Sequence, residues 1–154
     1  MKIYIDTEFN EFKGDLISMA LVAEDGAEFY EVLECKNPGS WVAQHVMPIL
    51  NKDPVPDYIF KMKLFGFLNW FDSIHLIADW PEDIKHFCEQ VITGPGEMMN
   101  IPSFTCEVRR DLSTENSKIL HNALSDARAL YEADIESQIK LVIIDTQKIT
   151  LTNT

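Results

Sequence analysis

Basic residues are scarce in this sequence: 13 Lys and Arg stand against 25 Asp and Glu, a formal net charge of −12. Phosphate binding normally leaves a basic footprint, so at face value this balance counts against a nucleic-acid partner. Cysteine is scarce too. Cys35, Cys88 and Cys106 are odd in number and show no CxxC spacing, so neither a disulfide framework nor a structural zinc site is suggested. They read as buried thiols of a reducing compartment. No apolar run approaches the roughly 18 residues of a membrane span, and MKIYIDTEF reaches Asp6 and Glu8 before a signal-peptide core can form. A cytoplasmic protein without membrane association is expected. Repeats, low-complexity tracts and long linkers are also missing, which leaves one domain over residues 1–154.

What the chain does have is a 46% apolar fraction and 10% aromatic residues over 154 positions, enough for a sizeable core. KIYI at 2–5 predicts a strand ending at Asp6. Residues 16–23 and 27–33 flank Glu24-Asp25-Gly26 and predict a hairpin. Ser40 can cap a short helix over 41–50. From Tyr58 to Phe71, a helical stripe of Ile59, Met62, Phe65 or Phe67, and Trp70 is widened by Phe60, Leu64, Leu68 and Phe71. That helix is either deeply buried or partly used in an oligomer interface. IHLIA at 74–78 predicts a strand, and Pro81 starts a helix running to about Val91. A loop then reaches Pro102, and 103–108 is a strand. A long amphipathic helix is predicted from near Lys118, with Leu120, Ala123, Leu124, Ala127, Leu130, Tyr131 and Ile135 on one face. Beyond about Leu141 the tail is β-rich and polar-ended. Three strands followed by alternating helices and strands imply an α/β fold, a ribonuclease-H-like mixed sheet with flanking helices.

Three acidic motifs carry the chemistry. Asp6 and Glu8 lie two apart at the end of the first strand and so point to the same side. Side-by-side carboxylates repel unless a cation lies between them, and hard oxygen ligands suit magnesium or manganese. In HNALSD, His121 and Asp126 are placed on the late helix, bordering one site only if it lies beside the helix start. Pro81-Glu82-Asp83 opens the helix after the IHLIA strand, where the helix dipole stabilises a carboxylate. That strand runs parallel to the first, which brings Asp83 to the sheet edge of Asp6, the usual ligand crevice of open α/β sheets.

With these motifs in order, the chain resembles the DEDD superfamily of 3′–5′ exonucleases, in the subclass with a catalytic histidine. Its signature of D-x-E, a middle Asp and H-x-x-x-x-D becomes Asp6-Thr7-Glu8, Asp83, and His121 with Asp126. In ADWPEDIKHF the register selects Asp83, with Asp79 as the rival. A more extended resemblance is to the small polyadenylate-directed exoribonuclease group known from mycobacteria. It is carried by DTEF, LVAEDGAEFYEV, GSWVAQHVMP and SFTCEVRRDL, up to about Tyr131, with ADWP as a departure.

The resemblance implies hydrolysis of single-stranded RNA from its 3′ end to nucleoside 5′-monophosphates, with a preference for adenylate-rich RNA. Asp6, Glu8, Asp83 and Asp126 would hold two Mg²⁺ or Mn²⁺ ions, and His121 would act as general base. It also implies a homodimer. Phe9 and Trp80 are candidate stacking surfaces for a terminal base, Phe9 equally a core residue closing the sheet. Trp41 and Trp70 read as helix-face core residues or subunit contacts. Arg109 and Arg110 are candidate phosphate ligands, against ion pairing with Glu107 or Asp111. A proofreading DNA exonuclease and an inactive relative that binds nucleic acid or a partner are the alternatives.

Overall fold

The computed structural model describes the backbone of residues 1–152 and the side chains as far as Ile144; Asn153 and Thr154 lie outside it. A five-stranded sheet has the order β3-β2-β1-β4-β7, built from β1 (Lys2–Phe9), β2 (Leu16–Ala23), β3 (Glu28–Val32), β4 (Ile74–Ala78) and β7 (Phe104–Val108). β1–β2 and β2–β3 are antiparallel, while β1–β4 and β4–β7 are parallel. This is the ribonuclease-H-like mixed α/β arrangement expected.

The two faces of β1 bind different helices. Ile3 and Ile5 join Phe60, Leu64 and Leu68 of α2 (Asp57–Leu68) and Phe87 of α3 (Pro81–Val91). Tyr4, on the other face, packs with Ile77, Leu112 and Leu130, the last from α4 (Ala123–Thr152). Ala20, Ala123 and Ala127 let α4 lie close to the sheet. Asp134 anchors this layer. It is buried, accepts from Tyr4 at 2.6 Å and Gln138 at 2.8 Å, and meets Lys2 and Arg109, each at 3.2 Å.

Several expectations need correction. β1 does not stop at Asp6 but runs to Phe9, because β2 pairs with it through Asp6↔Ala20, Thr7↔Met19 and Glu8↔Ser18. Ser40 does not cap the first helix: α1 (Ser40–His45) begins at Ser40 itself, with Gly39 in the cap position and no side-chain cap bond, and it is followed by a 3₁₀ turn over Met47–Ile49 where Pro48 breaks the ladder. α2 buries the Phe60-Leu64-Leu68 stripe, and Tyr58, Met62, Phe65 and Trp70 are exposed. The loop after α3 contains a small hairpin, β5 (Ile92–Gly94) with β6 (Glu97–Met98), turned at Gly96 with φ +74°. α4 starts at Ala123 rather than near Lys118, which leaves Leu120 exposed outside it, and it continues as helix through the segment expected to be β-rich. Ile135 is also largely outside the core. The cysteines are free, but Cys35 and Cys88 are half-buried and Cys106 is exposed. No helix among the described residues is long and apolar enough to cross a membrane.

Candidate active site

β4 pairs with β1 only over Lys2–Tyr4, so the second half of β1 projects past β4 with a free edge. Asp6 and Glu8 lie on this projecting part and share the face of Tyr4, toward α4. Thr7 points the other way, and its unpaired amide turns to α3. The amide and hydroxyl of Thr7 both donate to Asp83 Oδ1, at 3.0 and 2.6 Å. Asp83 sits in the first turn of α3 behind Pro81 and is 3% exposed. Asp79, directly after β4, faces the same gap. From the α4 side comes Asp126, which is 5% exposed.

The outcome is two overlapping groups of carboxylates. Asp6, Glu8 and Asp126 bring ligand oxygens within 4.8 Å of one another, and Asp6, Asp79 and Asp83 do the same. Asp6 belongs to both. Asp79 and Asp83, the two rivals for the middle position, both stand in the second group. Oδ2 of Asp6 and Oδ1 of Asp126 are buried without a hydrogen-bond partner. Buried carboxylate oxygens normally have partners, so this all-oxygen set fits a hard divalent cation.

Electrostatics agree with that fit. Burial, followed by the charges of Asp83, Glu8 and Asp126, pushes Asp6 well above the usual carboxylate range. Burial and then Asp126 and Asp83 push Glu8 up to about 8. Burial raises Asp83 to about 7 against the lowering hydrogen bond from Thr7. Asp79 and Asp126 are raised by burial as well. Such crowding of like charge is what a bound cation relieves.

His121 does not lie on α4. Asn122 stands immediately before the helix, its side-chain oxygen accepting from the Ser125 amide at 3.1 Å, and this cap forces the chain to turn at His121. His121 takes φ +65°, and its amide donates to Asp126 Oδ2 at 3.0 Å. The histidine thus reaches the cleft from the helix entrance, not from a helical face five residues away from Asp126.

A cleft of about 630 Å³ contains Asp6, Glu8, Asp79, Asp83, His121 and Asp126. Phe9, Trp80 and Arg110 also line it. Phe9 packs on the buried His86 with ring centres 5.0 Å apart. The Arg110 guanidinium lies 4.8 Å over the Trp80 ring, and Arg110 also donates to the Asp79 carbonyl. Arg109 turns away from the cleft to Asp111 and Asp134. Trp41, expected in a helix-face core or subunit contact, is half exposed on the cleft wall and packs its edge against His121 at 4.9 Å. Its other neighbour is His45, stacked at 4.7 Å. The sequence reading missed Thr7, Trp41 and Asn122. Only Asn122 carried a usable signal, as an Asn directly before an apolar helical pattern.

An acidic cleft at the carboxyl edge of a ribonuclease-H-like sheet, built on a D-x-E strand, defines an enzyme of the nuclease class. Two proteins from two strains of Mycobacterium tuberculosis, each named 3′–5′ exoribonuclease, are 31% identical to this chain over 150 residues, covering 83% of it and 88% of each relative. The chain belongs to this 3′–5′ exoribonuclease family. No family model matches it.

Proposed function

We propose that this protein is a metal-dependent 3′–5′ exoribonuclease of the histidine subclass of the DEDD superfamily, with residues 1–154 serving as one exonuclease domain. The observation that carries the reading is the pair of carboxylate groups sharing Asp6, with His121 on the wall of the same cleft. Asp6, Glu8 and Asp126 would hold one ion, and Asp6, Asp79 and Asp83 a second, magnesium or manganese by the hardness of the donors. When bound, such ions polarise a phosphodiester and acidify water.

The remaining work falls to the chain itself. His121 takes the proton of the attacking water at a ring nitrogen. The hydrogen bond from its backbone amide to Asp126 Oδ2 keeps it beside the carboxylates. Phe9 offers a face for the terminal base, with Trp41 a second ring on the wall, and Trp80 stands at the cleft margin where a strand would leave. Stacking is worth roughly 1–3 kcal/mol per base and tolerates any base, so the preference for adenylate-rich RNA rests on the family resemblance alone. Arg110 supplies a cation on the wall for a phosphate. The product is a nucleoside 5′-monophosphate, released one at a time from the 3′ end of a single strand. Free thiols fit a cytoplasmic setting. The exposed Tyr58, Met62 and Phe65 of α2 support a homodimer, which sedimentation would check.

Incubation of 5′-labelled RNA and DNA oligonucleotides with Mg²⁺ or Mn²⁺ tests the reading. RNA should shorten from its 3′ end with release of 5′-monophosphates, and poly(A) should be consumed faster than poly(U). No release from either polymer would leave a binding protein, and faster digestion of DNA would make it a DNA exonuclease.

A further inference from the structure

Phe12 is 81% exposed, yet it does not sit on a slack loop. Glu11 and Lys13 on either side adopt left-handed backbone at φ 59° and 61°, a conformation that costs free energy in residues with side chains. The loop is closed by the Asn10 amide donating to the Asp15 carbonyl at 2.9 Å. The Asn10 side chain accepts from the Gly39 amide at 2.8 Å and donates to the Asn37 carbonyl at 2.9 Å. A Cβ at Gly14 would lie 1.5 Å from the Asn10 carbonyl oxygen, so the tight winding depends on that glycine. A large apolar ring is thereby held in water by a strained, well-bonded loop.

Phe12 and Trp80 border a groove of about 500 Å³, together with Lys13, Pro81, Glu82 and Lys85. Trp80 also lines the acidic cleft, so the two spaces meet at its ring. Three cations surround the aromatic pair. Lys13 Nζ lies 5.1 Å over the Phe12 ring, Arg110 lies 4.8 Å over Trp80, and Lys85 stands on the groove wall, 3.5 Å from Glu89. The one acid on the groove wall, Glu82, accepts from the Trp80 indole at 3.2 Å, so in a chain of net charge −12 three cations here face a single acidic wall residue and two exposed π faces. That combination matches single-stranded nucleic acid. Beyond Lys13 and Lys85 the surface opens into a hollow bearing Asp15, Glu34, Asp57 and Glu89, which repels phosphates.

We propose that this groove is an upstream subsite, holding the two nucleotides on the 5′ side of the terminal one. Their bases stack on Trp80 and Phe12, and their phosphates face Lys13 and Lys85. The proposal rests on the exoribonuclease reading, because it needs a 3′ end seated in the cleft and a strand leaving it.

The test is calorimetric titration of the full chain with unlabelled adenylate dinucleotide and tetranucleotide, with Ca²⁺ replacing Mg²⁺. The tetranucleotide should bind more tightly than the dinucleotide. Phe12→Ala, and separately a Lys13→Gln/Lys85→Gln double variant, should each cut that advantage by about tenfold, the scale of one stacked base. Equal affinity for the two lengths, no binding of either, or an advantage retained in both variants would overturn the subsite. So would a Phe12→Ala variant that changes sedimentation while binding RNA normally, which would make the patch a protein contact. Failure of the exoribonuclease reading looks different: no hydrolysis with Mg²⁺ while length-dependent binding persists and the variants weaken it, so that the groove stands on a protein that does not cut.

Discussion

Thr7 joins the projecting end of β1 to the first turn of α3 through two hydrogen bonds onto a single oxygen of Asp83. One oxygen is thereby committed to Thr7, and the carboxyl group is fixed in orientation beside Asp6. Thr7→Val keeps the shape and the amide bond but removes the hydroxyl donor. Partners that orient a metal ligand typically matter 10- to 100-fold in affinity or activity. A Mn²⁺ titration and steady-state hydrolysis of an RNA oligonucleotide should both show a loss of about that size. Unchanged metal affinity and kcat would mean that the amide alone orients Asp83.

Asp79 and Asp83 both reach Asp6, but their surroundings differ. Asp83 is buried and held by Thr7, whereas Asp79 is more open to solvent and feels the Arg110 charge, which stabilises its ionised form. Asp83→Asn should therefore abolish RNA hydrolysis, while Asp79→Asn reduces it much less. A reversed order of kcat values would make Asp79 the principal ligand of that group.

The sequence revealed the strands most clearly, because apolar runs such as IHLIA match the buried positions of β4 directly. The carboxylates were legible for a related reason: period-two spacing on β1 and a Pro-Glu-Asp opening to α3 are local features. What stayed hidden was decided by tertiary contact or by competition between local signals. α2 is apolar on both stripes, so periodicity could not tell Phe60, Leu64 and Leu68 from Met62 and Phe65. At the late helix, apolar spacing pointed to a start near Lys118, but the Asn122 cap determined where helical backbone begins. In the tail, β-branched residues lost to continuation of a helix already formed, since adding a residue is far easier than nucleating a new element. Trp41 fell within an apolar helical pattern that pointed to the core; its place on the cleft wall follows from where α1 meets the cleft.

His121 borders the cleft without serving as a metal ligand in either carboxylate group. His121→Ala should slow turnover by roughly 10²–10⁴-fold, the usual worth of a general base, with Mn²⁺ affinity retained. Equal activity in the variant would remove His121 from proton transfer.

Metal-free protein should lose stability as pH rises. Glu8 is raised from 4.5 to about 8 and Asp83 from 3.8 to about 7, so the folded state keeps protons that the unfolded chain has released. Their contribution is fully present below about pH 4, near the unfolded values, and declines as pH climbs through 7 and 8. Thermal melts in EDTA across that window should fall steadily, and Mg²⁺ or Mn²⁺ should restore the melting temperature most at the alkaline end. A flat profile in EDTA, or a metal effect equal at pH 5 and pH 8, would contradict the crowding of charge around Asp6.

Asn122 links catalytic placement to stability. Its side-chain oxygen caps α4 at the Ser125 amide, and its Nδ2 donates to the Ile49 carbonyl at 2.8 Å, tying the helix entrance to the 3₁₀ turn. Both bonds act on the residue that follows the left-handed turn at His121. Asn122→Ala removes them together, and loss of a cap alone costs roughly 0.5–2 kcal/mol. For a chain of this length each kcal/mol lowers the melting temperature by roughly 2–4 °C. Asn122→Asp keeps an acceptor for the Ser125 amide but sets a carboxylate oxygen against the Ile49 carbonyl, so it should retain the cap and lose the tie. If the tie fixes His121, both variants lose kcat while Asn122→Asp recovers the part of the stability owed to the cap. A normal kcat in the destabilised Asn122→Ala protein would show that the hydrogen bond from its own backbone amide to Asp126 holds His121 without the tie.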